Sequence, residues 1–191
     1  MADPLKYYDL ERYLLEEVQP RFHKDGSIGA FDFFSIIIWK ANRSKSKIAG
    51  KLKSVSNEQD LEEICTKLSK SISTAMGKKE KMRILMIDWR FRLPMASAVL
   101  TILYPNDFSV YDYRVAGQVG KIIPAAGSFD KIWEDYSDFV QMVGQKAIGL
   151  TLRDRDRYLF GKSRIEDLEQ DIRQGFPIKE EKDSVDNRDS K

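Results

Sequence analysis

Cysteine and histidine are almost missing from this chain. Its 191 residues include one of each, Cys65 and His23. A single cysteine excludes an internal disulfide, and the two residues together fall short of the ligand set of a zinc site or an iron–sulfur cluster. A Ser-His-Asp triad has only His23 to draw on, and no partner motif accompanies it. His23 is therefore expected to be a surface or packing residue, and Cys65 a small hydrophobe on the apolar face of a helix. A strong charge of one sign is also absent. The 32 Lys and Arg residues nearly balance the 30 Asp and Glu residues, leaving a net charge of +2. Affinity for polyanions must then come from local patches. No apolar run approaches the roughly 20 residues of a membrane span. The polar start, Met-Ala-Asp-Pro, is followed by no early apolar targeting segment. These absences predict an intracellular setting, no membrane partner, and neither metal nor cofactor. There is no internal repeat, no phosphate-cradling glycine loop and no convincing alternating strand pattern.

What is present reads as helix after helix, so the predicted fold class is all-α. Charged residues make up 32% and apolar residues 42%, a composition for a well-charged globular surface over a real core. Tyr7, Leu10, Leu14 and Val18 predict a helix over 5–19, stopped by Pro20, with a turn-rich connection over 21–29. A second helix is predicted over about 31–50. Its first half is nearly all apolar, from Phe31 to Trp39. From Lys40 onward it carries Lys40, Arg43, Lys45, Lys47, Lys51 and Lys53 with no acid. That basic end either holds a phosphate backbone or is a solvated helix end complementing the C-terminal dipole. Ser56-Asn57-Glu58-Gln59 has capping-box spacing, ahead of a helix ending at Gly77. Ser128 is placed to cap a longer helix, and Thr151-Leu152-Arg153-Asp154 resembles a capping box opening a charged helix. A last helix is predicted over about 165–174. From Pro177 to Lys191 the chain is charged and polar and is predicted to be disordered. By its length the part before that tail, residues 1–176, suits one domain or two small lobes around one cleft.

The stretch from Trp89 to Val115 organises this reading. Pro94 opens an apolar, small-residue helix, where its missing N–H costs nothing. Tyr104-Pro105-Asn106-Asp107 ends that helix, because the residue before a proline is pushed out of the α region. A short extended piece, 108–111, delivers Asp112 to the start of a new helix. An acid at that position is either an N-cap or a catalytic carboxylate, and backbone N–H groups at a helix start favour the anion in both cases.

Over roughly 86–119 these features resemble the core of the helix–hairpin–helix DNA glycosylase superfamily, which includes endonuclease III and MutY. Ala96-Ser97-Ala98-Val99-Leu100 is similar to the family's small-residue helix. Val110-Tyr111-Asp112-Tyr113-Arg114-Val115 is similar to its aspartate turn, with Asp112 at the catalytic position. The resemblance implies a two-lobed helical bundle, a DNA partner and a role in base excision. Three departures are visible. The two hairpin glycines fall on Arg90 and Arg92, which are not expected to reproduce glycine backbone geometry cheaply, although their side chains can contact phosphate. The family's Schiff-base lysine falls on Pro94, so lyase chemistry through it is unavailable. The histidine that often follows the aspartate is Arg114.

The resemblance implies that a flipped base enters a pocket and that Asp112 stabilises an oxocarbenium-like sugar or orients a water. Phe34, Trp39, Trp89, Tyr111 and Tyr113 are the candidate aromatics of that pocket. Arg90, Arg92, Lys40, Arg43, Lys45, Lys47 and Arg114 are the candidate nucleic-acid contacts. Three functions stand open: a monofunctional glycosylase, a non-catalytic nucleic-acid-binding relative, and a helical interaction protein without nucleic acid. Asp112 is expected at a helix start, facing a cavity shared with the Phe31–Lys40 helix.

Overall fold

The apolar periodicity of the N-terminal region is used by three helical pieces rather than one. In the computed structural model, which describes residues 3–176, α1 spans Pro4–Tyr8 and α2 spans Leu10–Tyr13. A π-helical turn, Leu14–Val18, then leads into α3, Gln19–Asp25. Pro20 does not stop the helix as predicted. The wide turn before it resets the hydrogen-bond register, so Pro20 falls in the first turn of α3, where its missing N–H is harmless. The helix instead ends at Gly26, whose φ of 75° needs a residue without Cβ strain.

The long helix predicted over 31–50 is also divided. Helix α4 covers Ala30–Ala41, a 3₁₀ turn covers Asn42–Ser44, and α5 covers Lys45–Ser56. The division follows burial. Phe33, Ile36 and Ile37 of α4 are fully buried, whereas α5 sinks only Ile48 and Leu52. Ser56 does not open the next helix; its hydroxyl donates back to the Leu52 carbonyl at 2.9 Å. The true cap of α6, Leu61–Thr74, is Asp60, which accepts from the Glu62 N–H at 2.8 Å. An acid one residue from the first apolar position out-competes the serine.

Helix α7, Gly77–Arg83, continues through a second π turn, Ile84–Asp88. After a tight hairpin comes α8, Leu93–Leu103, with Pro94 in its first turn and nearly every side chain buried. It is the axis of the core, packed by α3, α4 and α7. Helix α9, Tyr113–Val119, closes at Gly120, short of Pro124. Ser128 caps α10, Phe129–Lys146. The final helices predicted apart are one, α11, Leu152–Arg173, opened by the Thr151–Asp154 capping box. Helices α9, α10 and α11 pack on one another, and a single apolar cluster runs from Tyr13 to Leu159. The described residues form an all-helical protein without strands, and none of their helices is long and apolar enough to cross a membrane. The tail predicted to be disordered, 177–191, lies outside the described residues.

Candidate functional site

Asp112 reaches its position at the end of an extended segment with no neighbouring strand. Its backbone groups therefore need side-chain partners. Ser109 donates its N–H to the Tyr136 hydroxyl at 3.2 Å, and that hydroxyl donates to the Ser109 carbonyl at 2.7 Å. Val110 donates to Asp156 Oδ2 at 3.0 Å, and Tyr111 to Ser97 Oγ at 2.9 Å. Three consecutive residues are thus clamped by α10, α11 and α8 in turn. Burial pushes the Tyr136 phenol upward, keeping it a neutral donor.

Asp112 is the N-cap of α9, its Oδ1 accepting from the Arg114 N–H at 3.1 Å. Its other oxygen accepts from Lys40 Nζ at 2.7 Å, with both side chains mostly buried. The two border a cleft of about 390 Å³, also lined by Glu11, Trp39, Val110, Arg153, Asp156, Arg157, Phe160 and Gly161. Capping and a cavity position are therefore both true of Asp112.

The cleft wall is a charge network. Arg153 donates to Glu11 at 2.8 Å and to Asp156 at 2.6 Å, and its guanidinium lies 5.1 Å from the centre of the Trp39 ring. Asp156 is 1% exposed. Burial pushes its carboxyl upward against the opposing pull of Arg153, the Val110 N–H and Lys40. For Arg153, the burial that lowers its pKa is outweighed by Asp156 and Glu11, which hold the guanidinium charge in place.

The predicted aromatics scatter. Trp39 alone among them lines the cleft. Tyr111 is a packing residue: its hydroxyl accepts from the Ile123 N–H at 2.7 Å, and its ring meets Phe139 edge-on. Phe34 and Trp89 pack against the core, and Tyr113 is 72% exposed under the Arg114 guanidinium. The reason is one of direction. Neighbours along a helix or extended segment point to different sides, so sequence proximity to Asp112 does not place a ring beside it.

The predicted cations scatter too. Lys40 is paired inside the cleft, and Arg114 is paired with Asp167 of α11. Arg43 and Lys45 are exposed where α4 gives way to α5, Lys45 donating to Asn42. Lys47, Lys51, Arg90 and Arg92 do converge. Lys51 donates to the Arg90 carbonyl at 2.7 Å, and its ammonium is held below the usual range by burial and then by Lys47, Arg92 and Arg90. Among the described residues none of the four forms an ion pair with a carboxylate.

The hairpin carrying these arginines reproduces part of the glycine geometry, at a cost. Arg90 does adopt a glycine-like backbone, with φ of 56°. Phe91 is buried beneath it against Phe33, its N–H donating to the Leu85 carbonyl at 2.8 Å, and these contacts hold the turn. A non-glycine residue there costs about 1–2 kcal/mol. Arg92 is extended and ordinary at the N-cap of α8.

His23 packs edge-on against Tyr104 and hydrogen-bonds the Leu103 carbonyl through Nε2 at 2.7 Å. The Cys65 thiol, fully buried, is pushed up to about 12 by burial and is a packing group. Sequence reasoning missed Glu11, Arg153, Asp156, Arg157 and Phe160 as cleft residues. One signal was available: Leu152, Asp156, Leu159 and Ser163 share a helical face, so an acid stood in line with apolar positions. Comparison with family models, curated proteins and solved structures finds no match to the chain.

Proposed function

We propose that this protein binds a nucleic-acid duplex through its Arg90–Arg92 hairpin and accepts an extruded base in the cleft around Asp112, acting as a monofunctional N-glycosylase within a two-lobed helical bundle. The observation that carries the reading is the clamped 109–111 segment ending in a mostly buried carboxylate that borders a cleft with an aromatic wall. N-glycosidic cleavage develops positive charge on the sugar, and a fixed carboxylate stabilises that charge without reorganising. Trp39 and Phe160 offer surfaces against which a base can lie, and the more exposed Arg157 offers hydrogen-bond donors to it. Lys47, Lys51, Arg90 and Arg92 supply phosphate contacts at the hairpin.

A second reading is favoured by the Lys40–Asp112 pair. Both Asp112 oxygens already have partners, one capping α9 and one held by Lys40. A carboxylate so occupied suits a nucleic-acid-binding protein that has no glycosylase activity. A panel of duplexes, each with one damaged base, scored for abasic sites separates the two. Under the first reading the wild type releases a base and Asp112→Asn does not, while duplex binding by Asp112→Asn is retained. Release that persists in Asp112→Asn refutes the catalytic role. Salt-dependent binding without release from any lesion supports the second reading.

A further inference from the structure

The long helix α11 has two unlike sides. Asp156, Leu159 and Ser163 face inward and are buried, and Glu166 and Asp167 bind Gln118 and Arg114 of α9. On the outer side Tyr158, Ile165, Leu168 and Ile172 are 44%, 61%, 53% and 59% exposed. Isolated exposed apolar residues are ordinary; four of them on one side of one helix are not. With Gly161, above which a side chain would meet open space, they occupy the a and d positions of a heptad pattern from Tyr158 to Ile172.

The charges beside this stripe indicate what covers it. Lys162 and Arg164 flank its N-terminal part, and Glu169 and Asp171 its C-terminal part. Two cations followed by two anions are self-complementary when the helix lies antiparallel on a copy of itself. About a two-fold axis between Glu166 and Asp167, Ile165 opposes Leu168 of the second copy and Gly161 opposes Ile172. In the same register Lys162 meets Glu169 and Arg164 meets Asp171. A parallel pairing would instead set Arg157 against Lys162, two like charges, beside Arg164 against Glu169, whereas the antiparallel register opposes unlike charges at both flanking positions. The present partners of these side chains are exposed pairs one helical turn away, Lys162 with Glu166 at 3.7 Å and Glu169 with Arg173 at 3.3 Å, of the weak class that exchanges readily.

We infer that the outer face of α11, from Tyr158 to Ile172, is the interface of a two-fold symmetric homodimer in which α11 packs antiparallel on its copy. Residue-to-residue reciprocity is what such an isologous interface requires. Gly161 belongs both to this stripe and to the rim of the Asp112 cleft, so the dimer brings two clefts to its seam.

Sedimentation velocity of the full chain over a concentration series tests the inference without nucleic acid, so its outcome is separate from that of the glycosylase reading. The wild type sediments as a reversible dimer, and Ile165→Glu with Leu168→Glu is a monomer with unchanged helical circular dichroism. Lys162→Glu with Arg164→Glu weakens the dimer by about tenfold or more through like-charge contacts. Adding Glu169→Lys and Asp171→Lys to that variant restores the dimer. A wild type that stays monomeric at every concentration overturns the inference. So does a dimer that survives the stripe substitutions, or one that the charge exchange fails to restore.

Discussion

The Asp112 cleft and the Arg90 hairpin both gather charged side chains, but they neutralise them in opposite ways. In the cleft Arg153 binds Glu11 and Asp156, and Lys40 binds Asp112. At the hairpin Lys47, Lys51, Arg90 and Arg92 stand together with no carboxylate among them. A buried charge must be paired, because leaving it alone forfeits hydration with nothing in return. An exposed cation can be left to solvent counterions, which a phosphate then displaces. The cleft charges are therefore held by one another, and the hairpin charges stand open to solvent.

Breaking the cleft network has the largest expected effect. Arg153→Met leaves Asp156 and Glu11 without their cation and is expected to cost about 3–5 kcal/mol of folding stability. Chemical denaturation measures this, and a loss below about 1 kcal/mol would show that the pairing does not hold the cleft together.

At the hairpin the same removal of charge is expected to leave stability nearly unchanged and to act on binding. Arg90→Ala with Arg92→Ala lowers the salt dependence of duplex binding by about two counterions. Fluorescence anisotropy across a salt series reads it, and an unchanged slope would take the two arginines off the phosphate backbone. Arg90→Gly sharpens the contrast further. It relieves the positive φ and is expected to gain up to about 1 kcal/mol of stability while weakening binding. A variant that is both more stable and a poorer binder would mark the hairpin as strained for function.

The smallest effect concerns partly exposed surface pairs, which belong to neither region. Lys121 holds the Asp135 carboxyl below its usual range, Arg83 does the same for Glu80, and Thr151 for Asp154. A carboxylate with a depressed folded-state pKa stabilises the fold above its unfolded value, near about 4, and loses that contribution as the pH falls further. The denaturation midpoint should decline on acidification below this value. Lys121→Gln should make the decline shallower, and an identical profile would remove Asp135 from the account.

By itself the sequence determined the all-helical class, the opening of α8 around Pro94, its stop at Tyr104, and the place of Asp112 at the start of α9. Each follows from local chemistry: a missing N–H, a pre-proline restriction, a side-chain oxygen one step from orphan amides. It also determined that basic residues are concentrated over 40–53 and at Arg90 and Arg92. Tertiary structure decided how those residues are distributed. Lys40 turned inward to Asp112, while Lys47 and Lys51 joined the hairpin, because α4 ends at Ala41 and a 3₁₀ turn leads into a separate α5. Tertiary structure also brought Glu11 and Asp156, 145 positions apart in the chain, onto one arginine. It let Pro20 continue a helix and let Arg90 hold a glycine's backbone. In each of these cases packing contributed more than the local preference cost, and packing depends on neighbours that the linear order of residues does not name.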